Sequence, residues 1–525
     1  MTIDTQLDTL EAKGLVRVAA YQPELEYLFR HALVQDAAYE SLLKQERRSL
    51  HRTVGEALEQ LYPERRGELA AVLAMHFEQA GDAERAVRYA MEAASFALDR
   101  NAIVEAHGLY QRAAALLPPP SAGDDDELRR RRIEIALGEA KSGLSFRTPE
   151  QLLAALEPLV DDAERLGDLR LLAEVHLHLA LLRQNRGERA SKSPELERSL
   201  QRVTEIGESL HDPAISALPR ALIGLGQVFT GQIREGVAAL EEAVPVLEDR
   251  HDFVGASFAL GVRAIGYARL GEFDKAEAAA KRATEVAADG DLIAQLDALI
   301  AESTVRSTKG DLAGAVPLAQ RCTTWSEETG ATACMVASNF VLGDVYMRQG
   351  RFEDAKAALE RGRAISAITG FPIFRPSIAA WLRATSAYLG DFGPAKESWD
   401  QELADARALG DEFTEAAIRA KRGETRAKGL HATSAHEEID AVLADISAGA
   451  AAFDAMGARP FLARVLRSWG ETLRNLGRRE EGDEKLQRAL ILFEEMGIIR
   501  EAAEVRVELA GGPTPLVAPE AAPST

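Results

Sequence analysis

The chain has 525 residues, 28% of them charged and 46% apolar, with a formal charge of -21, and so acidic a surface repels phosphate backbones and argues against general nucleic-acid binding. Only two cysteines occur, Cys322 and Cys334, without a pairing or ligand-spacing pattern, which excludes a disulfide framework and points to a reducing cytoplasm. No apolar run approaches the roughly twenty residues of a bilayer crossing, and the opening MTIDTQLDTL has neither a basic leader nor an apolar core segment.

Residues 1–62 read as a partial winged-helix-like segment. Leu7 to Gly14 is the end of a helix closed by glycine, and Leu15-Val-Arg-Val and Tyr27-Leu-Phe form two short strands around a loop containing Pro23. From His31 a helical spacing sets Leu33, Val34, Ala37, Ala38, Leu42 and Leu43 on one stripe, and a second helix carries Leu50, Val54, Ala57, Leu58 and Leu61. Residues 63–117 form the first helical repeats, with a turn at Gly81 followed by Ala86 and Ala93, and another at Asn101 followed by Ala106 and Ala113. Leu117-Pro-Pro-Pro-Ser-Ala-Gly breaks the helical pattern, so 118–127 is a linker and helix start. There Asp124-Asp-Asp-Glu complements exposed amides, and Glu127 stands four residues before Arg131. Residues 128–213 hold less regular helical repeats, with a turn at Gly187-Glu-Arg-Ala and a loop at Ser191-Lys-Ser-Pro.

Residues 214–430 carry the strongest signal. A glycine turn, an apolar residue two places on and a small residue five places on recur as Gly231-Gln-Ile-Arg-Glu-Gly, Gly271-Glu-Phe-Asp-Lys-Ala, Gly310-Asp-Leu-Ala-Gly-Ala, Gly350-Arg-Phe-Glu-Asp-Ala and Gly390-Asp-Phe-Gly-Pro-Ala, at intervals of 40, 39, 40 and 40 residues. Such spacing marks a solenoid whose units bury apolar surface only by stacking. Each unit accommodates two helices of about seventeen residues, roughly 26 Å long. Ala276, Ala279, Ala280, Ala283 and Val286 make one narrow face for close helix approach. Phe273, Phe352 and Phe392 are expected to be core plugs, and Cys322, in register with Ala243 and Ala283, a small buried residue. Residues 431–509 hold further helices, including Phe461 to Leu476 and Lys485 to Glu495 around Gly477, and 510–525 is a disordered tail rich in proline and alanine.

No phosphate-binding glycine loop, dinucleotide fingerprint, His-Glu-x-x-His or nucleophile elbow occurs. His176 and His178 stand two apart and His431 and His436 five apart, awkward separations for shared ligation on a helix. Acidic pairs such as Asp161-Asp162 and Glu241-Glu242 are expected on solvated ridges, without the held geometry that acid–base chemistry needs. We therefore assign no catalytic residue, no metal and no cofactor of its own, and expect a protein that is not an enzyme.

Tyr27-Leu-Phe-Arg-His-Ala-Leu-Val-Gln-Asp-Ala-Ala-Tyr-Glu-Ser-Leu-Leu with Arg47-Arg-Ser-Leu-His resembles the end of the winged-helix segment of signal-transduction ATPases with numerous domains, some of which are coupled to adenylyl cyclase or helix-turn-helix regulator domains. Leu73-Ala-Met-His-Phe-Glu-Gln-Ala-Gly-Asp, Phe453-Asp-Ala-Met-Gly-Ala-Arg-Pro and Leu490-Ile-Leu-Phe-Glu-Glu-Met-Gly resemble the repeat regions of the same proteins. The resemblance implies that His31, at a helix start, approaches a nucleotide phosphate, which here requires a nucleotide-binding module in trans. Ala32 departs from the acid that follows this histidine in many relatives. The chain looks like the sensor half of a larger ancestor, kept by a split gene, an incomplete reading frame or as an independent regulator.

The expected fold is all-α, a tetratricopeptide-like helical-repeat superhelix preceded by a small winged-helix-like remnant. The expected function is a non-enzymatic scaffold that binds a protein, peptide or small effector in signalling. The alternative is a regulatory sensor fragment or subunit of such an ATPase, cyclase or transcription regulator. Catalysis within the helical fold and nucleic-acid recognition rank below both, and neither a membrane nor a nucleic-acid partner is expected.

Overall fold

The computed structural model describes residues 3–20, 26–100, 102–121, 123–144, 146–189, 192–250, 253–288, 292–428, 430 and 435–511. The expected loop at Pro23, the turn at Asn101, Ser191, His431 and nearly all of the 510–525 tail lie outside the described residues. The chain divides into two compact units, residues 1–97 with 108–120 and residues 98–107 with 121–525.

In the first unit, α1 (Ile3–Ala12) leads to Gly14, whose φ of 71° lets the chain turn into β1 (Val16–Ala20). This strand pairs antiparallel with β2 (Glu26–Phe29), Val16 opposite Phe29. The helices α2 (Ala32–Glu40), α3 (Lys44–Leu61), α4 (Arg66–Ala80) and α5 (Ala83–Asp99) follow, then α6 (Ile103–Leu116), which the two units divide between them. Phe77 is fully buried, stacked on Tyr89 at 5.6 Å between centroids and packed against Gly55 of α3, where a Cβ would lie 3.0 Å from the Phe77 ring. The apolar residues spaced along α2 and α3 are not covered: Leu33 is 82%, Leu43 70% and Leu61 68% exposed. The physical reason is that α2 spans only nine residues, and its neighbour β2 belongs to a hairpin of two strands, too little surface to roof the stripe.

The second unit is a stack of helices. It begins with α7 (Asp126–Gly143), α8 (Pro149–Leu156), α9 (Val160–Leu166), α10 (Leu169–Asn185) and α11 (Pro194–Ser209). Paired helices then repeat: α12 (Pro213–Thr230) with α13 (Ile233–Asp249), α14 (Phe253–Leu270) with α15 (Phe273–Ala287), and α16 (Leu292–Lys309) with α17 (Leu312–Thr329). Next come α18 (Thr332–Arg348) with α19 (Phe352–Thr369), then α20 (Arg375–Tyr388) with two short helices, α21 (Gly393–Lys396) and α22 (Asp400–Ala408). The stack ends with α23 (Glu412–Ala427), α24 (His436–Ala455), α25 (Arg459–Asn475), α26 (Arg479–Glu495) and α27 (Ile499–Leu509).

The five expected glycines sit where the period places them, each between the two helices of a pair and each left-handed, with φ from 74° to 113°. A helix end leaves carbonyls without intrahelical donors, and a residue at positive φ folds the next amides back onto them. The Glu272, Asp311, Arg351 and Asp391 amides thus donate to Tyr267, Arg306, Tyr346 and Ser386 carbonyls, all at 2.9 Å. Buried Ile233, Phe273 and Leu312 fill the slot two places on, while Ala276, Ala315 and Ala355 fill the slot five places on. The alanine face of α15 is buried throughout, and Cys322 occupies its expected small-residue slot. Of the other two expected plugs, Phe352 is only half-buried, its ring stacked on Tyr388 at 4.6 Å, and Phe392 is 39% exposed. Gly393-Pro394 starts a helix that runs only four residues, so the slot is lost and Trp399, fully buried beyond the break, takes over the core position.

The first helices of successive pairs touch one another, from α12 through α14, α16, α18, α20, α23 and α25, and the second helices make no comparable pairing. The wall therefore curves with the first helices on its concave side. It curves far enough to meet itself, for α12 touches α23 and α14 touches α25. Along this seam, turns within early pairs face turns between later pairs. Lys192 Nζ donates to the Arg407 carbonyl at 3.1 Å across 215 residues of sequence, and Thr332 Oγ1 to the Leu144 carbonyl at 3.3 Å across 188. Leu409, Met456 and Met496, each just before a left-handed glycine, seat their side chains on Gly187, Gly231 and Gly271, where any Cβ would crowd or overlap them.

This dual use of glycine separates two kinds of site. Gly271→Ala adds both backbone strain and a clash with Met496, whereas Gly477→Ala, at the same φ of 80°, meets nothing within 4 Å. The expected losses are ~2–4 kcal/mol for the first and ~1 kcal/mol for the second, read as shifts in the urea midpoint; equal losses would contradict the seam.

Candidate functional site

The concave side of the second unit is polar and knitted across helices. The Trp381 indole donates to Asp344 at 2.8 Å, the Lys421 ammonium lies 5.3 Å from the Trp381 ring and pairs with Glu424 at 2.9 Å, and Lys428 lies 4.1 Å from the Tyr388 ring. Further along, Arg464 pairs with Glu501 at 2.6 Å and donates to the Thr308 carbonyl at 2.7 Å. Arg348 reaches the same Glu501 at 3.4 Å while donating to the Ser307 carbonyl at 2.6 Å. Arg467 joins Glu471, Glu504 and Glu508. One carboxylate, Glu501, thus ties α27 to α25 and to α18.

These neighbours split the carboxyls. Burial alone would raise the Glu501 pKa, but Arg464 and Arg348 outweigh it and hold the group down at about 2. Glu471 goes the other way, raised chiefly by burial and then by the like charge of Glu508 against the pull of Arg467.

A cleft of about 340 Å³ opens on the seam, between the ends of α10 and α12 and the start of α23. Gln184 and Gln227 bring amides to it, and Arg189 brings a guanidinium from the loop after Gly187. Asp411 caps α23, accepting the Thr414 amide at 2.8 Å. Burial raises the Asp411 pKa against the pull of that amide and of Arg269 and Arg189, and burial lowers the Arg189 pKa. Arg269, behind the cleft, lies 3.8 Å from the Phe413 ring and donates to the Val228 carbonyl at 2.7 Å, its pKa lowered by burial to about 10. At the rim Arg407 and Glu415 pair at 2.8 Å. Such a lining offers amide, guanidinium and carboxylate groups to a polar ligand.

His31 is placed outside this unit, at the N-cap of α2, exposed and with no side-chain capping bond. His176 is buried in α10, its pKa lowered to about 4 by burial and then by Arg202 and Arg183, and His178 bonds the Glu174 carbonyl at 2.9 Å. His436 opens α24. Glu241 accepts the Tyr267 hydroxyl and Glu242 stands 3.5 Å from Arg220, while Asp162 lies 3.4 Å from Arg129. None of these pairs lines the cleft. Cys322 and Cys334 are buried and joined by no disulfide, and burial pushes the Cys322 thiol up to about 12. Among the described residues, no group of three or more histidines, cysteines and carboxylates is arranged to hold a metal ion, and no helix is long and apolar enough to cross a membrane. Sequence reasoning missed Gln184, Arg189, Gln227 and Asp411, whose only local signal is the aspartate after Gly410, a helix-capping pattern.

A tetratricopeptide-repeat family model matches residues 336–362, most of α18 and the first part of α19. Comparison of the sequence with curated proteins finds no match. Solved structures similar to the chain include a Rap protein complexed with competence and sporulation factor, at 12% identity over 78% of this chain and 98% of that one, TM-score 0.47. The apo quorum sensor NprR from B. thuringiensis is similar at 13% identity over 68% and 97%, TM-score 0.42. A signal-transduction ATPase with numerous domains and a tetratricopeptide-repeat sensor, from Pyrococcus horikoshii, is similar at 14% identity over 84% and 74%, TM-score 0.42.

The two glutamates give opposite pH signatures. Glu501→Gln leaves Arg348 and Arg464 short of a counter-charge, and the expected loss at pH 7 is ~3–5 kcal/mol. Because its folded pKa is depressed, that loss shrinks as pH falls below the ordinary carboxylate range. Glu471 is raised instead, so its contribution declines as pH rises from the ordinary carboxylate range toward neutrality, and Glu471→Gln gains on the wild type over the same interval. Denaturant midpoints across pH check both signs.

Proposed function

We propose that this protein is a non-enzymatic regulatory scaffold whose second unit binds a peptide, protein segment or small effector and passes that occupancy to a partner in signalling. The observation that carries this reading is the concave first-helix wall, where Asp344, Lys421 and Arg464 are held in place by neighbours on other helices and offer polar groups to a ligand. The two buried cysteines, joined by no disulfide, fit a reducing cytoplasm. A peptide array probed with the intact chain is expected to yield binders that persist in high salt. Charge reversal of exposed Lys428→Glu is expected to weaken them roughly tenfold. Association that is uniformly weak and lost on adding salt would contradict the reading.

A second reading, a sensor fragment or subunit serving a nucleotide-binding module in trans, is favoured by the first unit's exposed apolar side chains at Leu33, Leu43 and Leu61. In that reading the module covers this face and brings a phosphate to His31 at the start of α2. The chain alone is then expected to show no tight binding in an ATP titration. Stoichiometric ATP binding by the isolated chain would contradict this division of labour.

A further inference from the structure

We propose that the seam cleft is a binding site for a small zwitterion, a free α-amino acid. This deepens the scaffold reading, on which it rests, by naming the chemical class of one effector.

Among the described residues, three buried polar atoms of cleft-lining side chains find no partner: Gln184 Oε1, Gln227 Oε1 and Arg189 Nε. Gln184 is 7% and Arg189 9% exposed, so these are groups removed from bulk water. A buried donor or acceptor left without a partner is destabilising and rare, and beside a cleft that partner comes from a ligand or from ordered water. Gln184 gives its Nε2 to the Leu222 carbonyl at 2.9 Å, which fixes the amide and leaves Oε1 as its open end. Arg189 spends one terminal nitrogen on the Glu188 carbonyl at 2.8 Å and keeps Nε–H in hand. Asp411, 5% exposed, adds a carboxylate that neither Arg189 nor Arg269 closes into an ion pair.

The signs of these groups select the ligand. Oxygen acceptors on Gln184, Gln227 and Asp411 match the three N–H donors of an ammonium, and the Arg189 guanidinium matches a carboxylate. A simple anion entering the cleft meets Asp411, and a simple cation meets Arg189; a ligand carrying both charges satisfies both. Arg407 and Glu415 pair with each other, and the remaining charged lining residues, Lys192 and Glu412, are opposite in sign, so the lining as a whole is balanced and suits a ligand that carries both charges. The cleft volume of about 340 Å³ suits a small molecule. Its walls come from α10 and α12 on one side and the start of α23 on the other, so the bound zwitterion also bridges the seam.

The test is calorimetric titration of the intact chain with each L-amino acid, up to roughly 10 mM, a range that detects affinities down to the millimolar. The expected result is one-to-one binding of at least one amino acid. Its N-acetyl derivative, lacking the ammonium, and its amide, lacking the carboxylate, are expected to bind at least tenfold more weakly. Arg189→Gln and half-buried Gln227→Leu are each expected to weaken binding at least tenfold; the derivatives test the same contacts on unaltered protein. Hydrogen exchange is expected to slow at 184–189 and 407–415 on binding. No binding by any amino acid, derivatives that bind as well as the parent, or undiminished binding by both variants overturns the proposal. Salt-resistant peptide binding by a chain that binds no amino acid overturns this proposal while leaving the scaffold reading intact.

Discussion

The left-handed glycine at the end of a helix is the constraint on which the second unit depends. It satisfies helix-end carbonyls by returning the next amides to them, and it sets the reversal that lays each helix against its partner. Because it lacks a Cβ, the same residue also leaves a socket on the edge of the stack. Leu409, Met456 and Met496 occupy three such sockets, so the residues that fold each pair also let distant pairs meet.

Closure changes what the concave wall is. In an open solenoid each unit touches only its neighbours, and charges on the inner helices stay solvated. Here Glu501 of α27 is enclosed by Arg464 and Arg348, whose helices lie far apart in sequence, and the carbonyls of Ser307 and Thr308 take up the remaining guanidinium donors. Buried ion pairs of this kind contribute less to net stability than to register, since desolvation offsets much of their attraction while breaking one partner leaves a costly unpaired charge. The cleft lies on the same seam, so occupancy there is coupled to how the two edges sit.

Much of this was legible in the sequence, and the gaps have physical causes. The period from Gly231 to Gly390, the alanine face of α15 and the helix lengths follow from local packing, which local spacing encodes. The second set of left-handed glycines, Gly330, Gly370, Gly410, Gly457 and Gly497, was not read as one series of turns because no common phrase follows them. Phe392 fitted the register but not the chemistry, since Gly393-Pro394 stops the helix that would have buried it. The stripe at Leu33 and Leu43 has the right periodicity for a core and no surface to pack on, something periodicity cannot reveal. The cleft was invisible because Gln184 and Asp411 come together only through superhelical closure.

That closure is most directly tested by a spin-label distance between Lys192→Cys and Arg407→Cys, both exposed and joined across the seam, with the buried native cysteines shielded from the label. The account predicts a single narrow, short distance in the free chain. A broad distribution centred several times farther out would show that the edges do not meet, and the seam, its sockets and the cleft would fall together.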